Sequence, residues 1–458
     1  MATKKQPTGY LPDERPPILE LFLFALQQIV VMFPATVLVA LITGFHVSTT
    51  IFASGLATLC FIFITGKKIP LYYGSSFSYL AAIGSIMAAE QFSGYSLNDK
   101  ISVAQFGIVM SGFVSIAAGL LIQRTGRKTI DKILPATVTG SIAMIIGLSL
   151  ATNAMGNAST FPAVEEIKTA LAQNMAWVIS IVTLVSTIAY SVYLKGKLSQ
   201  LPILFGLLTG YIVALIIGLV TGIPFVKFDS FEAADGIFHL PVFTFPKASW
   251  AAVAAIMPIA IATIPESTAH VYQLDIYVND LAKKKGSTKK YNIADKLGLN
   301  LIGDGIGDII SGSIGGPAGT NYGENISTMA ISKVFSIPVL MAAAIITMVI
   351  ACFTPLINVV YSIPTAVIGG LSIYLFGVIA AQGITIMMDR KVDMFSSKNL
   401  AIIAIILIIG LGGSYGFKGD GMIPMFGMQF PALATAAVVG IVGNLLLSIG
   451  EKAEAPSA

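Results

Sequence analysis

Long apolar runs separated by short polar breaks make up most of this sequence. From residue 17 onward the apolar runs are about 15 to 28 residues long. An α-helix needs roughly 20 apolar residues to cross a bilayer, so the pattern predicts membrane-spanning helices. The first run is too long for the apolar region of a cleavable signal peptide. We place fourteen spans at 17–43, 48–65, 71–89, 102–122, 133–151, 175–194, 200–222, 250–278, 292–313, 320–334, 336–354, 363–387, 397–413 and 429–449.

Two of the shorter spans share a sequence pattern. Residues 73–81 (YGSSFSYLA) align with residues 322–330 (YGENISTMA), and residues 135–140 agree loosely with 364–369. The pairs suggest two halves of seven spans each, and because seven is odd the second half is inverted relative to the first. The expected fold is an all-α polytopic membrane protein with 14 transmembrane segments in a 7+7 inverted repeat.

The repeated motif also indicates broken helices. Pro and Gly are concentrated in residues 315–319, just before a short apolar segment, which indicates extended backbone leading into a half-helix. Irregular backbone at membrane depth survives only where it lines a cavity, with the free N–H groups of the half-helix facing that cavity. The motif therefore predicts a binding site near the membrane midplane, and glycine-rich helix packing or a plain loop is the alternative.

Composition supports the membrane assignment and excludes other classes. Charged residues make up 11% of the 458 residues and hydrophobic residues 55%, and mean hydropathy is +0.84. A soluble domain carries roughly 25% charged residues, so a soluble enzyme, a disordered chain and a nucleic-acid-binding protein are excluded. Cys60 and Cys352 lie in apolar stretches and are expected to be core residues without a disulfide.

The positions of the basic residues predict the orientation. With the N-terminus in the cytoplasm, 22 of the 27 lysines and arginines fall in cytoplasmic loops or tails. This bias obeys the positive-inside rule and places both termini in the cytoplasm. We interpret the basic loop 283–290 as a cytoplasmic anchor and not as a nucleic-acid patch.

Four acidic residues lie well inside predicted spans: Glu266, Asp304, Asp308 and Glu324. Ionisable groups inside a bilayer are costly and indicate function by default. His270 is four residues after Glu266, so the two share a helix face and form a natural proton carrier. Alternatively, His270 binds a backbone carbonyl in the core, and the two aspartates cap neighbouring backbone. The sequence has no Walker loop, HExxH or CxxC motif, and we expect no cofactor and no metal site.

Buried glutamates and free backbone N–H groups restrict the ligand. Carboxylates repel a small anion, and oxygen cages for metal cations usually contain more ligands. A neutral flat ring with N–H donors and carbonyl acceptors fits best, with an aromatic side chain such as Phe77 or Tyr322 covering its face. An oxo-pyrimidine or an oxo-purine has this chemistry.

These residues resemble the nucleobase–ascorbate transporter family, with most similarity to its bacterial uracil:proton symporter branch. The resemblance covers most of the chain and is carried by residues 316–323 (GPAGTNYG) and 324–333 (ENISTMAISK), which correspond to the family signature. Ser327 and Ser332 depart from the signature but remain small. Gln28 stands where many members have histidine, and Pro34 replaces a small residue.

The resemblance implies a division into a core and a gate domain, with short antiparallel strands in segments 3 and 10. The implied ranges are 17–128 and 250–355 for the core, 129–249 and 356–450 for the gate, and 1–16 and 451–458 for cytoplasmic tails. A homodimer through the gate domains is also implied.

The implied function is import of uracil by proton symport across the cell membrane, with no enzymatic activity. The implied site residues are Glu266 and Glu324 for hydrogen bonding, Phe77 and Gly323 as backbone contacts, Tyr322 and Ala35 as walls, and Glu266 with His270 for proton coupling. Xanthine or another oxo-purine is the alternative substrate. An anion exchanger or channel of the same fold, and an intramembrane enzyme built on Glu266 and His270, are alternatives from other classes.

Overall fold

Apolar helices form most of the chain in the computed structural model, which describes residues 9–126, 133–227, 236–417, 421–425 and 428–449. Nine helices in these ranges are long and apolar enough to cross a membrane, and shorter apolar helices accompany them. The protein is therefore a mostly helical, multi-pass membrane protein. Residues 1–8 of the predicted N-terminal tail, the whole predicted C-terminal tail (451–458) and the basic residues at 127, 128, 132 and 418 lie outside the described ranges.

The elements follow one another in a simple order. They are α1 (Ile18–Thr43), α2 (Val47–Ile64), β1 (Tyr73–Ser75), α3 (Leu80–Ala88), α4 (Leu97–Thr125), α5 (Ala136–Ser149), α6 (Ala151–Ser159), α7 (Thr169–Tyr193), α8 (Pro202–Thr221), α9 (Trp250–Ile256), α10 (Ile259–Lys284), α11 (Leu297–Ile314), β2 (Gly319–Asn321), α12 (Gly323–Ser332), α13 (Ile337–Ile350), α14 (Thr354–Tyr361), α15 (Thr365–Asp389), α16 (Ser397–Gly416), β3 (Met422–Met425), β4 (Met428–Pro431) and α17 (Ala432–Leu447).

Several details differ from the predicted spans, and one is α6, which extends beyond the predicted span 133–151. The predicted span 250–278 is interrupted between α9 and α10 at Pro258, because proline has no backbone N–H to continue the helix. The span predicted at 429–449 begins with a strand, β4, and becomes helical only at Ala432. Helix α14 was not predicted, because its eight residues are too few to give an apolar run.

The helices pack in two groups. Helix α11 lies along α4 and α2, and α13 lies against α1 and α2, whereas α15 lies against α5, α6 and α7. Each group contains a crossing through facing glycines, at Gly112 with Gly305 and at Gly140 with Gly383, where an added Cβ would overlap the partner's carbonyl oxygen. Close backbone approach of this kind is a common packing solution between membrane helices and accounts for part of the high glycine content.

An N-terminal strap, residues 9–15, lies across the end of α12. The Tyr10 N–H donates to the Lys333 carbonyl at 2.8 Å, and the Tyr10 carbonyl accepts from the Phe335 N–H at 2.8 Å. Leu11 beside them is buried. The strap therefore continues the chain as an ordered segment before α1.

Ion pairs join the strap to the basic loop that follows α10. Lys285 Nζ lies 2.6 Å from Glu14 Oε2, and Lys289 Nζ lies 2.6 Å from Asp13 Oδ2. The Tyr291 hydroxyl donates to Asp13 Oδ1 at 2.5 Å. The strap and the basic loop thus lie on one side of the molecule, the side on which the lysine and arginine bias places both.

We expect the strap to weaken in acid through Asp13. Burial opposes ionisation, but the hydrogen bonds from Lys289 and Tyr291 outweigh it and lower the pKa of Asp13 below its ordinary 3.8. The ionised carboxylate therefore stabilises the fold above pH 3.8, and this contribution is lost as pH falls through the lower folded value. Asp13 is half-exposed, so the effect is small.

Melting temperatures of the purified protein from pH 7 to pH 3 test this expectation. The Asp13→Asn variant should melt slightly below the wild type at pH 7 and should lose less stability in acid. Asp280→Asn is the control, because Asp280 pairs only with Lys284 of its own helix. Identical pH profiles of the wild type and Asp13→Asn would contradict the assignment.

Candidate functional site

Two short strands, β1 and β2, pair at the centre of the candidate site, and we call this pair of strands the crossing. Strand β1 pairs antiparallel with β2, in the register Tyr73 with Asn321, Gly74 with Thr320 and Ser75 with Gly319. The backbone pairing continues beyond both strands, because Ser76 N–H donates to the Ala318 carbonyl and Tyr322 N–H donates to the Tyr72 carbonyl. The pairing brings together two segments about 250 residues apart in sequence, and a half-helix follows each strand.

Tyrosine rings cover the glycines of this crossing reciprocally. The Tyr322 ring lies where a Cβ on Gly74 would be, and the Tyr73 ring lies where a Cβ on Gly319 would be. Any larger residue at either glycine would push the opposite ring away. The two strands can therefore approach only because each contributes a glycine to face a tyrosine.

The start of each half-helix faces the crossing. Phe77 opens a single 3₁₀ turn, Phe77–Tyr79, which continues into α3, and the Ser76 side chain caps this turn by accepting from the Ser78 N–H. Helix α12 begins at Gly323 with Glu324 in its first turn. Free N–H groups and the positive end of the helix dipole occur at such starts and favour a negatively charged or hydrogen-bond-accepting neighbour.

Glu266 and His270 approach the crossing from α10. Glu266 follows Pro265, is half-buried, and lies within electrostatic range of Glu324. A Cβ on Gly323 would lie 2.8 Å from His270 Nε2, so the imidazole lies directly against the start of α12. Within the part of the chain that the structure describes, His270 Nδ1 is buried without a hydrogen-bond partner, and the imidazole also interacts with the Asn321 backbone. Glu266 and His270 of α10 therefore lie close to Glu324 and the start of α12.

Tyr322 forms a fixed wall of the region where Glu266, Glu324 and His270 lie close together. Its side chain is 4% exposed, and its hydroxyl donates to the Ser75 carbonyl at 3.1 Å and lies 2.9 Å from Thr36 Oγ1. Ala35, next to Thr36 on α1, is also buried. Phe77 is partly buried and packs against both large hydrophobic clusters of the protein. Every residue predicted for the site thus lies on or beside the crossing.

Asp304 links the two segments that carry the glutamates. Its Oδ2 accepts from the Ser267 hydroxyl at 2.7 Å and from the Asn300 and Asn321 side-chain amides at 3.1 and 3.2 Å. Ser267 is adjacent to Glu266, and Asn321 ends β2. Asp304 therefore joins neighbouring elements through side-chain hydrogen bonds, and not through the backbone capping given as the alternative from the sequence.

Gln28 fills the position where many members of the resembled family have histidine. Its Oε1 accepts from Asn325 Nδ2 at 2.8 Å, and its backbone carbonyl accepts from the same amide at 3.0 Å. Asn325 belongs to the first turns of α12. The departure therefore places a neutral hydrogen-bond acceptor between α1 and α12.

Sequence reasoning missed the contacts that support the site. It did not identify Thr36, Ser267 or the covered glycine Gly74 as structural partners of the predicted residues. A signal was present, since Tyr-Gly occurs in both repeated motifs, at 73–74 and at 322–323. That repetition pointed to Gly74 beneath Tyr322 but not to Gly319 beneath Tyr73, because Tyr73 lies in β1 whereas Tyr322 follows β2.

Two cavities lie between the two helix groups, at opposite ends of α16. One, of about 580 Å³, is lined by Pro265 and Thr268 of α10 and by Thr137, Arg390 and Asn399. The other, of about 120 Å³, is lined by small residues of α3 and by residues beside the β3–β4 hairpin. The larger opening is therefore on the Arg390 side and reaches the residue that precedes Glu266.

The sequence has close relatives among known permeases. Residues 19–419 match the Permease family. The uracil permease of Bacillus caldolyticus is 36% identical over 437 residues, which cover 95% of this chain and 94% of that protein. The uracil permeases of Bacillus subtilis (strain 168) and Escherichia coli (strain K12) are 33% and 32% identical, over 95% of this chain and 94% and 93% of those proteins.

Solved structures share the fold at much lower identity. The murine Solute Carrier 26 family member A9 anion transporter, in its inward-facing state, has a TM-score of 0.62 at 12% identity, over 95% of this chain and 69% of that one. The transmembrane domain of the cyanobacterium bicarbonate transporter BicA has a TM-score of 0.56 at 14% identity, over 94% of this chain and 99% of that one. Identities this low show a common architecture and nothing about the substrate. The family match and the permease relatives each cover most of the sequence, so the chain belongs to this permease family, the nucleobase–ascorbate transporter family.

Proposed function

We propose that this protein imports uracil together with protons. The observation that carries the proposal is the convergence of Glu266 and Glu324 on the start of α12, beside a second half-helix start at Phe77. Among the described residues no lysine or arginine forms an ion pair with either glutamate. The curated relatives named uracil permeases cover 95% of the chain and support the same substrate.

The chemistry of the site suits a small neutral ring. Uracil has two ring N–H donors and two carbonyl acceptors in one plane. Glu266 and Glu324 would accept from the ring N–H groups, and the backbone N–H groups at Phe77 and Gly323 would donate to the ring carbonyls. Tyr322 and Ala35 would wall the pocket. An anion of similar size would be repelled by two carboxylates, so the shared fold with anion transporters does not extend to their substrates.

Glu266 would carry the coupled proton. Protonation would make Glu266 neutral and remove its electrostatic repulsion with the Glu324 carboxylate. The protonated state would therefore favour substrate binding. Loss of that proton to the cytoplasm would restore the repulsion and promote release. His270 lies against the start of α12 and would help to set the position of the proton as the site opens and closes.

The proposed architecture has fourteen crossings in two inverted halves of seven. Antiparallel pairing of β1 with β2 supports the inversion, since equivalent strands of inverted halves run in opposite directions. The two helix groups would belong to a core domain (17–128 and 250–355) and a gate domain (129–249 and 356–450). Rocking of the core against the gate would alternate access to the site, and the larger cavity beside Arg390 would be its inward opening.

Orientation and assembly complete the proposal. Both termini would lie in the cytoplasm, which agrees with the strap and the basic loop lying on one side. Two copies would associate through their gate domains in the cell membrane.

Uptake of labelled uracil into proteoliposomes tests the function. We expect accumulation under an inward proton gradient, collapse of that accumulation by a protonophore, and no stimulation by a sodium gradient. Unlabelled xanthine in excess should compete weakly. Strong competition by xanthine would favour the oxo-purine alternative, and uptake that depends on sodium alone would contradict proton coupling.

A further inference from the structure

Asp308 ties both strands of the crossing together through one carboxylate oxygen. Its Oδ1 accepts from the Tyr73 hydroxyl of β1 at 2.5 Å and from the Gly319 backbone N–H of β2 at 2.8 Å. The residue is 2% exposed and lies on α11, one helical turn after Asp304. One side chain of α11 thus holds two strands that lie about 250 residues apart in the sequence.

The crossing depends on such external anchors. A two-stranded sheet with three residue pairs is at best marginally stable by itself. Hydroxyls of α2 add to the anchoring on one side only, since Ser54 and Thr58 both donate to the Tyr73 carbonyl. Asp308 differs from these hydroxyls because it contacts both strands and therefore fixes one relative to the other.

The anchored residues stand at equal distances from the proposed substrate contacts. Tyr73 precedes Phe77 by four residues, and Gly319 precedes Gly323 by four residues. A shift of either strand would therefore be transmitted along a short segment to a backbone N–H group that we assign to the substrate. Hydrogen-bond geometry is steep in distance and angle, so a small shift weakens recognition.

We infer that Asp308 is a positioning residue of the nucleobase site, which sets the separation of the two half-helix starts. The inference rests on the proposed function, because it assigns Asp308 an effect on uracil affinity. Asp308 would act through Tyr73 and Gly319 and would not itself touch the substrate. This role is distinct from that of Asp304, whose partners Ser267 and Asn321 lie on α10 and at the end of β2.

Three variants test the contributions of the hydrogen bonds that Asp308 accepts. Asp308→Ala removes the shared acceptor, Asp308→Asn keeps an acceptor oxygen, and Tyr73→Phe removes one of the two donors. We expect Asp308→Ala to raise the KM for uracil about tenfold or more, the factor expected for losing a buried hydrogen bond to a carboxylate. Asp308→Asn should stay within about threefold of the wild type, and Tyr73→Phe should fall between the two.

The double variant tests whether the two residues act as one unit. Because Tyr73→Phe and Asp308→Ala remove the same hydrogen bond, we expect their combination to raise KM no further than Asp308→Ala alone. Independent effects that multiply would show that the two side chains act separately and would overturn the shared-anchor role.

Asp275→Ala is a matched control. Asp275 Oδ1 also accepts from two groups, the backbone N–H groups of Ile293 and Ala294 at 2.6 and 3.2 Å. It lies nine residues after Glu266 on α10, about 13 Å along the helix axis. The control loses comparable hydrogen bonds away from the crossing, so we expect it to lower the amount of folded protein and leave KM unchanged.

Equilibrium binding of uracil to purified protein, with KM and Vmax per folded molecule, decides the outcome. An unchanged affinity in Asp308→Ala, or a shift equal to that of Asp275→Ala, would overturn the inference alone. Should Asp308→Ala fail to fold, an unchanged affinity in Tyr73→Phe would overturn it. A wild type that does not bind uracil would overturn the proposed function, and this inference with it.

Discussion

Replacing Glu266 by glutamine should abolish accumulation of uracil against its gradient while leaving a folded protein that still binds uracil. Glutamine has nearly the same shape as a protonated glutamic acid and carries no charge, so it mimics the state that we assign to substrate binding. It cannot release a proton, and the proton gradient can therefore do no work on the transport cycle. The concentrations of uracil inside and outside the vesicles should become equal.

Exchange of labelled for unlabelled uracil distinguishes this loss from a general defect. Exchange needs binding and reorientation but no net proton movement, so Glu266→Gln should retain it. Glu166→Gln is the control for the chemical change, because Glu166 is exposed beside the start of α7. Full gradient-driven accumulation of uracil by Glu266→Gln would contradict the proposed role of Glu266 in proton coupling.

The corresponding change at Glu324 separates the two glutamates. Glu324 belongs to the first turn of α12, and we assign it to hydrogen bonding with the substrate and not to carrying the coupled proton. We therefore expect Glu324→Gln to weaken uracil binding and to leave the remaining uptake dependent on the proton gradient. Loss of coupling in Glu324→Gln with coupling retained in Glu266→Gln would reverse the assignment.

Replacing Gly74 by alanine should nearly eliminate uracil uptake. The added methyl group would occupy the position of the Tyr322 ring, which cannot turn away without breaking the contacts of its hydroxyl with Ser75 and Thr36. Insertion of a methyl group into a close-packed site costs about 1 to 3 kcal/mol, or more where backbone must move. The strain would separate β1 from β2 and displace Gly323, and we expect uptake to fall by about tenfold to a hundredfold.

Gly156→Ala is the matched control for this substitution. Gly156 lies within α6, and a Cβ there would meet no atom within 4 Å. Alanine is favoured over glycine in a helix by about 1 kcal/mol, so this variant should be as stable as the wild type or slightly more stable. Size-exclusion profiles and melting temperatures measured beside uptake show whether Gly74→Ala folds. Wild-type uptake by folded Gly74→Ala would contradict the steric argument.

The hydropathy pattern was sufficient to predict the elements that depend only on the composition of their own segment. Apolar runs predicted the transmembrane helices because a bilayer imposes one length and one composition on any helix that crosses it. The same reasoning failed at Pro258 and at β4, where the helix is interrupted or starts late within a continuous apolar run. Hydropathy measures transfer into lipid and does not record the backbone hydrogen bonds that decide between helix and strand.

Acidic residues within apolar runs predicted the candidate site. Glu266 and Glu324 could be singled out because a carboxylate inside an apolar run has an energetic cost that requires an explanation. The repeated Tyr-Gly motif pointed to the two segments that precede or open the half-helices, since Tyr73 and Gly74 lie in β1 and Gly323 begins α12. Neither signal could show that Asp308 joins Tyr73 to Gly319, because that contact depends on the three-dimensional approach of α11 to both strands.

By itself, the sequence determined that this is a multi-pass membrane protein and which acids need a functional explanation, and it predicted the orientation from the positions of the basic residues. These properties follow from the solvation of individual segments, which lipid and water impose on each segment separately. Only the tertiary structure decided that segments about 250 residues apart pair through β1 and β2 and that tyrosines cover glycines across that pairing. It also decided that Glu266, Glu324 and His270 lie close together beside the two strands. Such meetings depend on the packing of several helices at once, and no single segment contains the information that fixes them.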